Sequence, residues 1–100
     1  MINHIILWKL RDTMSDEEKK KAAADIKKNL EALQGNIPGL IKIKVNANPL
    51  PSSNADVMLD SVFENIDALK VYQTHEKHLY VANTYVRPYT QVRMCMDFEK

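Results

Sequence analysis

The sequence predicts an α+β fold in which two helical segments lie on one side of a four-stranded antiparallel sheet. Apolar residues alternate along four segments, as they do in β-strands. Between the first and second of these segments, and between the third and fourth, apolar residues recur every three or four positions, as they do in amphipathic helices. The chain has 100 residues, of which 45% are hydrophobic and 27% charged, the composition of an ordinary folded domain. We therefore expect residues 1–100 to form a single domain.

The first predicted strand, residues 2–11, is apolar on both faces. One face carries every second residue: Ile2, His4, Ile6, Trp8 and Leu10. The centre of the other face carries Ile5 and Leu7. Helices on one side of the sheet can cover only one of these two faces.

The first helix is predicted over residues 16–35. Ser15 suits the position before a helix, and Glu18 three residues on can complete a capping box. Apolar residues then follow one stripe from Ala23 to Ile37 at spacings of three and four. Gly35 is expected to end the helix.

The remaining elements follow the same two patterns. Residues 40–47 and 55–64 alternate as strands, and the loop 48–54 between them holds two prolines and four small polar residues. Asn65 can cap a second helix, which residues 74–76 break or bend. A further helical stretch ends at Pro88, and residues 89–98 alternate as the last strand.

The order β-α-β-β-α-β predicts a ferredoxin-like subunit, with both helices on one face of the sheet. The uncovered face would be mainly apolar, and larger than a soluble monomer tolerates. We therefore predict a homodimer in which two sheets pack face to face around a barrel-like interior, with an interface of ~2,000 Å² or more. The alternative is a monomer whose sheet face is only mildly apolar.

Charge and cysteine content exclude several partners. Fourteen basic and 13 acidic residues give a net charge of +1, so no long-range field recruits nucleic acid or an anionic membrane. No apolar run reaches the ~18 residues of a membrane span, and the first residues lack the features of a signal peptide. The single cysteine, Cys95, fits a reducing compartment and is expected to be a buried core thiol. These features predict a soluble, cytoplasmic protein.

Five residues are candidates for a binding or catalytic site. Tyr72, His75 and His78 form a Tyr-x-x-His-x-x-His series, and three-residue steps keep side chains near one face of a helix. A phenol can donate a hydrogen bond to a developing oxyanion, and a neutral imidazole can accept a proton near pH 7. His4 and Trp8 share a strand face, where a histidine among apolar neighbours suits a small-molecule pocket. The alternative is that His4 and Tyr72 are ordinary core residues, and that His75 and His78 lie at the surface.

Other chemistries find little support in the sequence. The His-x-x-His spacing differs from that of a zinc-binding helix, and no cysteine lies near it, so no metal site is predicted. No glycine-rich loop supports nucleotide binding. Nothing in the sequence places a base beside Cys95, as a nucleophile would require. No cofactor is therefore predicted.

Four segments together resemble the stress-responsive A/B barrel (Dabb) family. They are Asn3–Leu10, Ile37–Gly39, Asp56–Phe63 and Tyr72–His78, and they extend over nearly the whole chain. The resemblance implies a ferredoxin-like subunit and a dimeric α+β barrel, in agreement with the two apolar faces of the first strand. Most members of the family have no established activity.

A plant member of the family, olivetolic acid cyclase, closes a polyketide without a cofactor. The resemblance matches Tyr72 and His78 to its acid/base pair, and His4 to a further histidine of its first strand. It therefore implies catalytic roles for His78 and Tyr72 and a ligand contact for His4. We expect Trp8 and His75 to contact the ligand as well. Residues 13–37 contain no aromatic residue, whereas the cyclase has aromatic bulk on its first helix, so we expect a different ligand or none.

Three functions remain open at this point. The first is a homodimer with a small apolar pocket in each subunit, which binds or converts a hydrophobic oxygenated molecule; His78 would remove a proton next to a carbonyl, and Tyr72 would stabilise the enolate oxygen. The second is a non-catalytic stress or structural protein whose role is self-association. The third is a cofactor-independent oxygenase of the dimeric barrel type. The sequence does not decide whether the protein is an enzyme.

Overall fold

The computed structural model describes all 100 residues and contains four strands and three α-helices. The strands are β1 (Ile2–Leu10), β2 (Leu40–Asn46), β3 (Val57–Phe63) and β4 (Thr90–Glu99). The helices are α1 (Asp16–Glu31), α2 (Ile66–Thr74) and α3 (Glu76–Val81). A π-helical turn (Ala82–Val86) and a 3-10 turn (Arg87–Tyr89) connect α3 to β4. None of the helices combines the length and the apolar character needed to cross a bilayer.

The predicted ferredoxin-like fold is confirmed by the order of the strands. They form one antiparallel sheet in the order β2-β3-β1-β4, so the first strand is central and the last lies at an edge. His4 of β1 lies opposite Ser61 of β3 on one side and opposite Asp97 of β4 on the other. Strand alternation then gives the sheet an inner face, towards the helices, and an outer face.

Helix α1 begins as predicted and ends earlier. Ser15 and Glu18 form the capping box, in which each side chain accepts a hydrogen bond from the other residue's backbone N–H. The helix ends at Glu31, and not at residue 35, because the following backbone tightens into i→i+3 turns. The Glu31 carboxylate accepts a hydrogen bond from the backbone N–H of Val45, which ties this end of α1 to β2.

The predicted break in the second helical region is confirmed at His75. Its backbone is extended, with φ −67° and ψ 134°, so α2 ends there and α3 begins in a new direction. The His75 ring accepts a hydrogen bond from the Lys77 N–H and caps α3. The helical stretch after α3 changes from π to 3-10 geometry, and Pro88, which has no N–H to continue an α-helix, lies in the 3-10 turn.

The core lies between the inner face and the helices and contains 20 buried apolar residues. The helices cover the inner face of β1, β2 and β3, whereas every residue of β4 after Thr90 is exposed. Cys95 belongs to this exposed strand, so the expectation of a buried core thiol is wrong for the subunit. The reason is the position of β4 at the edge of the sheet, beyond the reach of the helices.

The outer face is apolar along β1 and β4. The β4 residues are the most exposed: Val92, Met94, Met96 and Phe98, with Met94 at 67% and Met96 at 66%. Ile5 and Leu7 of β1 pair with Met96 and Met94 and complete one continuous apolar surface. No element of the subunit covers it.

The two glycines allow a matched test of packing between β2 and α2. Gly35 and Gly39 both have positive φ, 80° and 79°. A Cβ on Gly39 would lie 2.5 Å from the Cβ of Ala68, whereas a Cβ on Gly35 would meet nothing within 4 Å. We expect each Gly→Ala change to lower the free energy of unfolding by about 1 kcal/mol through backbone strain. Gly39→Ala should lower it by about 1–3 kcal/mol more through overpacking.

Urea denaturation of the two variants measures this difference. Equal losses of stability in Gly39→Ala and Gly35→Ala would contradict the close approach of Gly39 to α2.

Candidate functional site

A cavity of about 90 Å³ lies between the inner face of the sheet and the second helical region. Its deeper wall is mainly apolar and comes from β1, β3 and α1, and its other walls come from α2 and the segments that follow it. The lining residues are His4, Ile6, Trp8, Leu30, Leu59, Tyr72, Gln73, His78, Ala82, Val86, Arg87, Thr90 and Arg93. The cavity thus has an apolar interior with a few polar groups, as small-molecule sites commonly do.

Four of the five predicted site residues meet at this cavity. His4 and Trp8 reach it because strand alternation places both on the inner face of β1. Tyr72 comes from α2 and His78 from α3, and the bend at His75 brings their rings to a centroid distance of 4.1 Å. The rings of His4 and Tyr72 are 6.2 Å apart.

The fifth predicted residue, His75, does not line the cavity. Its ring is engaged in the cap of α3, where it accepts the hydrogen bond from Lys77. The three-residue spacing suggested one helical face for the whole series, but the helix bends at its middle member. His75 therefore positions the other two residues through the backbone.

The hydroxyl of Tyr72 is buried and has no hydrogen-bond partner in the subunit. Burial raises the pKa of Tyr72, against a smaller opposing effect of the positive charge of Arg93. The phenol therefore remains protonated at neutral pH and carries an unused O–H donor. Leaving such a group unpaired costs about 1–3 kcal/mol of stability, so a ligand oxygen that accepted its hydrogen bond would be favoured.

The ring of His78 offers the complementary group. Its Nδ1 is also buried without a partner. Burial lowers the pKa of His78 to about 4; the Gln73 backbone partly offsets this, and electrostatic repulsion from Arg87, His4 and Arg93 lowers it further. The imidazole is thus neutral near pH 7 and able to accept a proton. A protonated phenol and a neutral imidazole side by side at one cavity are suited to acid–base chemistry.

His4 lies in a second cluster that the sequence did not predict. Its buried ring forms a hydrogen bond through Nδ1 with Oδ1 of Asp97, and the same nitrogen lies 3.7 Å from Sγ of Cys95. Burial, and then the negative charge of Asp97, raise the pKa of the Cys95 thiol, which disfavours a thiolate nucleophile. The side chains of His4, Cys95 and Asp97 have metal-ligating atoms within 4.8 Å of one another, which makes them the group in this subunit best placed to hold a metal ion.

The sequence also did not indicate that two arginines lie at the cavity. Arg93 lies on the inner face of β4, directly opposite Trp8, and Arg87 lies in the 3-10 turn. The alternation of β4 places Arg93 on the same face as Cys95 and Asp97, and this pattern is visible in the sequence. The sequence does not show which strand pairs with β4, or in what register.

The family is decided by a comparison of the whole chain with family models. The model of the Stress Responsive A/B Barrel Domain (Dabb) matches residues 2–100. The chain belongs to the Dabb family. This confirms the resemblance that the sequence segments indicate. No curated protein matches the sequence of this Dabb protein.

Solved structures share the fold of this Dabb protein over almost its whole length. A dimeric protein of unknown function from Bacteroides fragilis is 34% identical, with a TM-score of 0.92 over 99% of this chain and 95% of that chain. A dimeric ferredoxin-like protein of unknown function from Thermobifida fusca is 23% identical, with a TM-score of 0.80 over 97% and 88% of the two chains. The hydroxynitrile lyase of Passiflora edulis is 15% identical, with a TM-score of 0.76 over 97% and 90%. At these last two identities the likeness concerns the fold alone.

The lowered pKa of His78 predicts a pH-dependent stability. Its pKa is 6.5 in an unfolded chain and about 4 in the folded protein, so between these values the unfolded state binds a proton that the folded state does not. This contribution to stability is complete above about pH 6.5. It is lost as the pH falls towards 4. Between pH 7 and pH 5 we expect a loss of about 1 kcal/mol, since partial exposure to solvent weakens the effect.

Urea denaturation at the two pH values measures this loss, and His78→Gln should reduce it. An NMR titration of the His78 ring provides an independent measurement, with an expected midpoint near 4. A midpoint near 6.5 would contradict the burial of this imidazole in the cavity wall.

Proposed function

We propose that this Dabb protein is a homodimer whose subunits each bind, and act on, a small oxygenated molecule in the cavity. The observation that carries the proposal is the pair of buried, unpartnered groups at one apolar cavity, the Tyr72 hydroxyl and the His78 Nδ1. Native proteins rarely leave two such groups unsatisfied side by side unless something else binds there. The cavity volume restricts the enclosed part of the ligand to a few heavy atoms.

The apolar outer face supports the homodimer. A second copy placed on it would bury the exposed side chains of β4 and the neighbouring Ile5 and Leu7. An apolar surface of this extent is typical of an interface between subunits. The Bacteroides fragilis protein, which is 34% identical, is described as dimeric, so we expect the same assembly here.

Charged residues on the outer face should separate the dimer. We expect the double change Met94→Glu, Met96→Glu to raise the dimer dissociation constant at least about 1,000-fold, because each buried carboxylate costs several kcal/mol. Sedimentation equilibrium at micromolar concentration measures the effect. The control is Val71→Glu, which places one such carboxylate on an exposed apolar residue of α2 on the opposite side of the sheet. A wild-type monomer at this concentration would refute the proposed assembly.

The chemistry we propose is proton removal next to a carbonyl group. Nδ1 of His78 takes a proton from the carbon beside the carbonyl, and the electron pair of that C–H bond moves to form the enolate. The Tyr72 hydroxyl donates a hydrogen bond to the enolate oxygen and stabilises its charge. Return of the proton from His78 to a carbon or oxygen atom of the ligand closes the cycle. His4, at the cavity wall 6.2 Å from the Tyr72 ring, helps to fix the ligand's orientation.

Exchange of butanone protons for deuterium tests this chemistry without knowledge of the natural substrate. We expect the protein in D₂O to accelerate exchange at the carbons beside the butanone carbonyl, as measured by NMR. Tyr72→Phe should slow the exchange at least about 100-fold, as for the loss of one oxyanion donor, and His78→Gln should abolish it. Tyr80→Phe, at an exposed tyrosine outside the cavity, should leave the rate unchanged.

Stability controls accompany these variants. Tyr72→Phe removes a buried hydroxyl without a partner, so it should unfold at the same or a higher urea concentration than the wild type. A loss of exchange in a folded variant is then a loss of chemistry. Exchange at the buffer rate in the wild type, with no change in the NMR signal of Trp8 on adding butanone, would instead favour the non-catalytic, self-associating function.

A further inference from the structure

The charged side chains that line the cavity are of one sign. Of the 13 lining residues, Arg87 and Arg93 are basic and none is acidic. Neither guanidinium takes part in any of the four ion pairs of the subunit. Arg87 instead donates a hydrogen bond to the amide oxygen of Asn83, which is neutral, so its charge is not compensated there. The cavity lining therefore carries positive charge, whereas the carboxylate of Asp97, which does not line the cavity, is engaged by His4.

The two arginines are also the charged lining residues that reach solvent. Both are exposed, whereas the lining residues Ile6, Trp8 and Leu59 are buried. The cavity thus has an apolar floor and a basic rim. Arg93 comes from β4 and Arg87 from the 3-10 turn. The charges of both arginines lower the pKa of His78, and the charge of Arg93 also lowers that of Tyr72.

The geometry points to a small oxo acid as the ligand. Its carboxylate would pair with the guanidinium groups at the rim, its carbonyl would accept the hydrogen bond from the Tyr72 hydroxyl, and its carbon chain would lie on the apolar floor. A guanidinium presents two parallel N–H donors that match the two oxygens of a carboxylate, which makes this pairing specific as well as strong. This inference rests on the proposed function and names the chemical class of its substrate.

The volume is consistent with this class. A cavity of about 90 Å³ has the room of about three water molecules, enough for the ketone end of a short oxo acid. The carboxylate then remains at the exposed rim, where it keeps part of its hydration. A neutral ketone of the same size fills the same floor and leaves both arginines without a counter-charge.

A bound carboxylate would also change the pKa of His78, the proposed base. The positive charges of Arg87 and Arg93 weaken His78 as a proton acceptor in the empty cavity. A negative group at the rim offsets them and raises the pKa of His78, so the base becomes stronger when this class of ligand is in place. Neutral ligands do not have this effect, which couples substrate selection to the proposed acid–base step.

Two probes of equal size distinguish charge from shape. Acetoacetate and pentane-2,4-dione differ by the exchange of a carboxylate for an acetyl group. The indole N–H signal of Trp8, the only tryptophan in the sequence, reports occupation of the cavity by NMR titration. We expect acetoacetate to bind at least about tenfold more tightly than the dione, as expected for one charge-assisted hydrogen-bonded pair.

Substitution of the two rim arginines tests whether they cause the preference for acetoacetate. Arg93→Gln and Arg87→Gln should each weaken acetoacetate binding about tenfold and leave dione binding unchanged. Lys28→Gln, which removes a positive charge from an exposed position of α1 away from the cavity, should affect neither ligand. Urea denaturation of the same variants verifies that they fold.

Each outcome bears on the inference. Stronger binding of acetoacetate that disappears in the arginine variants supports it. Equal binding of the two probes, or a preference that survives both arginine changes, overturns the oxo-acid class but leaves the proposed pocket intact. The absence of any response of Trp8 to either probe overturns both the class and the pocket.

Discussion

The structure depends on the central position of β1. This strand pairs with β3 on one side and β4 on the other, and its two faces meet different surroundings because the helices cover only one of them. Its inner face packs against the helices and forms the floor of the cavity. Its outer face carries Ile5 and Leu7 and joins β4 in an apolar surface that no helix covers. One alternating strand therefore supplies both the site and the surface proposed for assembly.

The unpaired polar groups of the cavity destabilise the folded subunit. Two buried groups without partners, on Tyr72 and His78, each cost about 1–3 kcal/mol. The surrounding core of 20 apolar residues is large enough to keep them in place. A core selected for stability alone would hold phenylalanine and leucine at such positions. This cost of the unsatisfied groups supports the proposed binding role of the cavity.

The edge position of β4 has a further consequence. Because the helices do not extend over β4, its inner-face residues Arg93, Cys95 and Asp97 remain accessible while they touch the buried part of the site. A polar border of this kind connects an apolar cavity to solvent. The same geometry places Asp97 beside His4, which orients the imidazole through Nδ1.

Local patterns in the sequence determined the elements and the two-faced character of β1. Alternation of apolar residues, the capping pair Ser15 and Glu18, and the break near His75 are interactions between near neighbours, so they can be read without the fold. The order of elements then leaves few topologies, and the ferredoxin-like order among them was predicted.

The tertiary structure alone decided how distant residues meet. The register of β1 with β4 places Arg93, Cys95 and Asp97 opposite Trp8, Ile6 and His4, and it depends on long-range pairing that no local pattern specifies. The early end of α1, the position of His75 outside the cavity and the exposure of Cys95 follow likewise from what packs around each residue. The sequence determined which side chains could share a face, and the packing of the helices over three of the four strands decided which of them share a cavity.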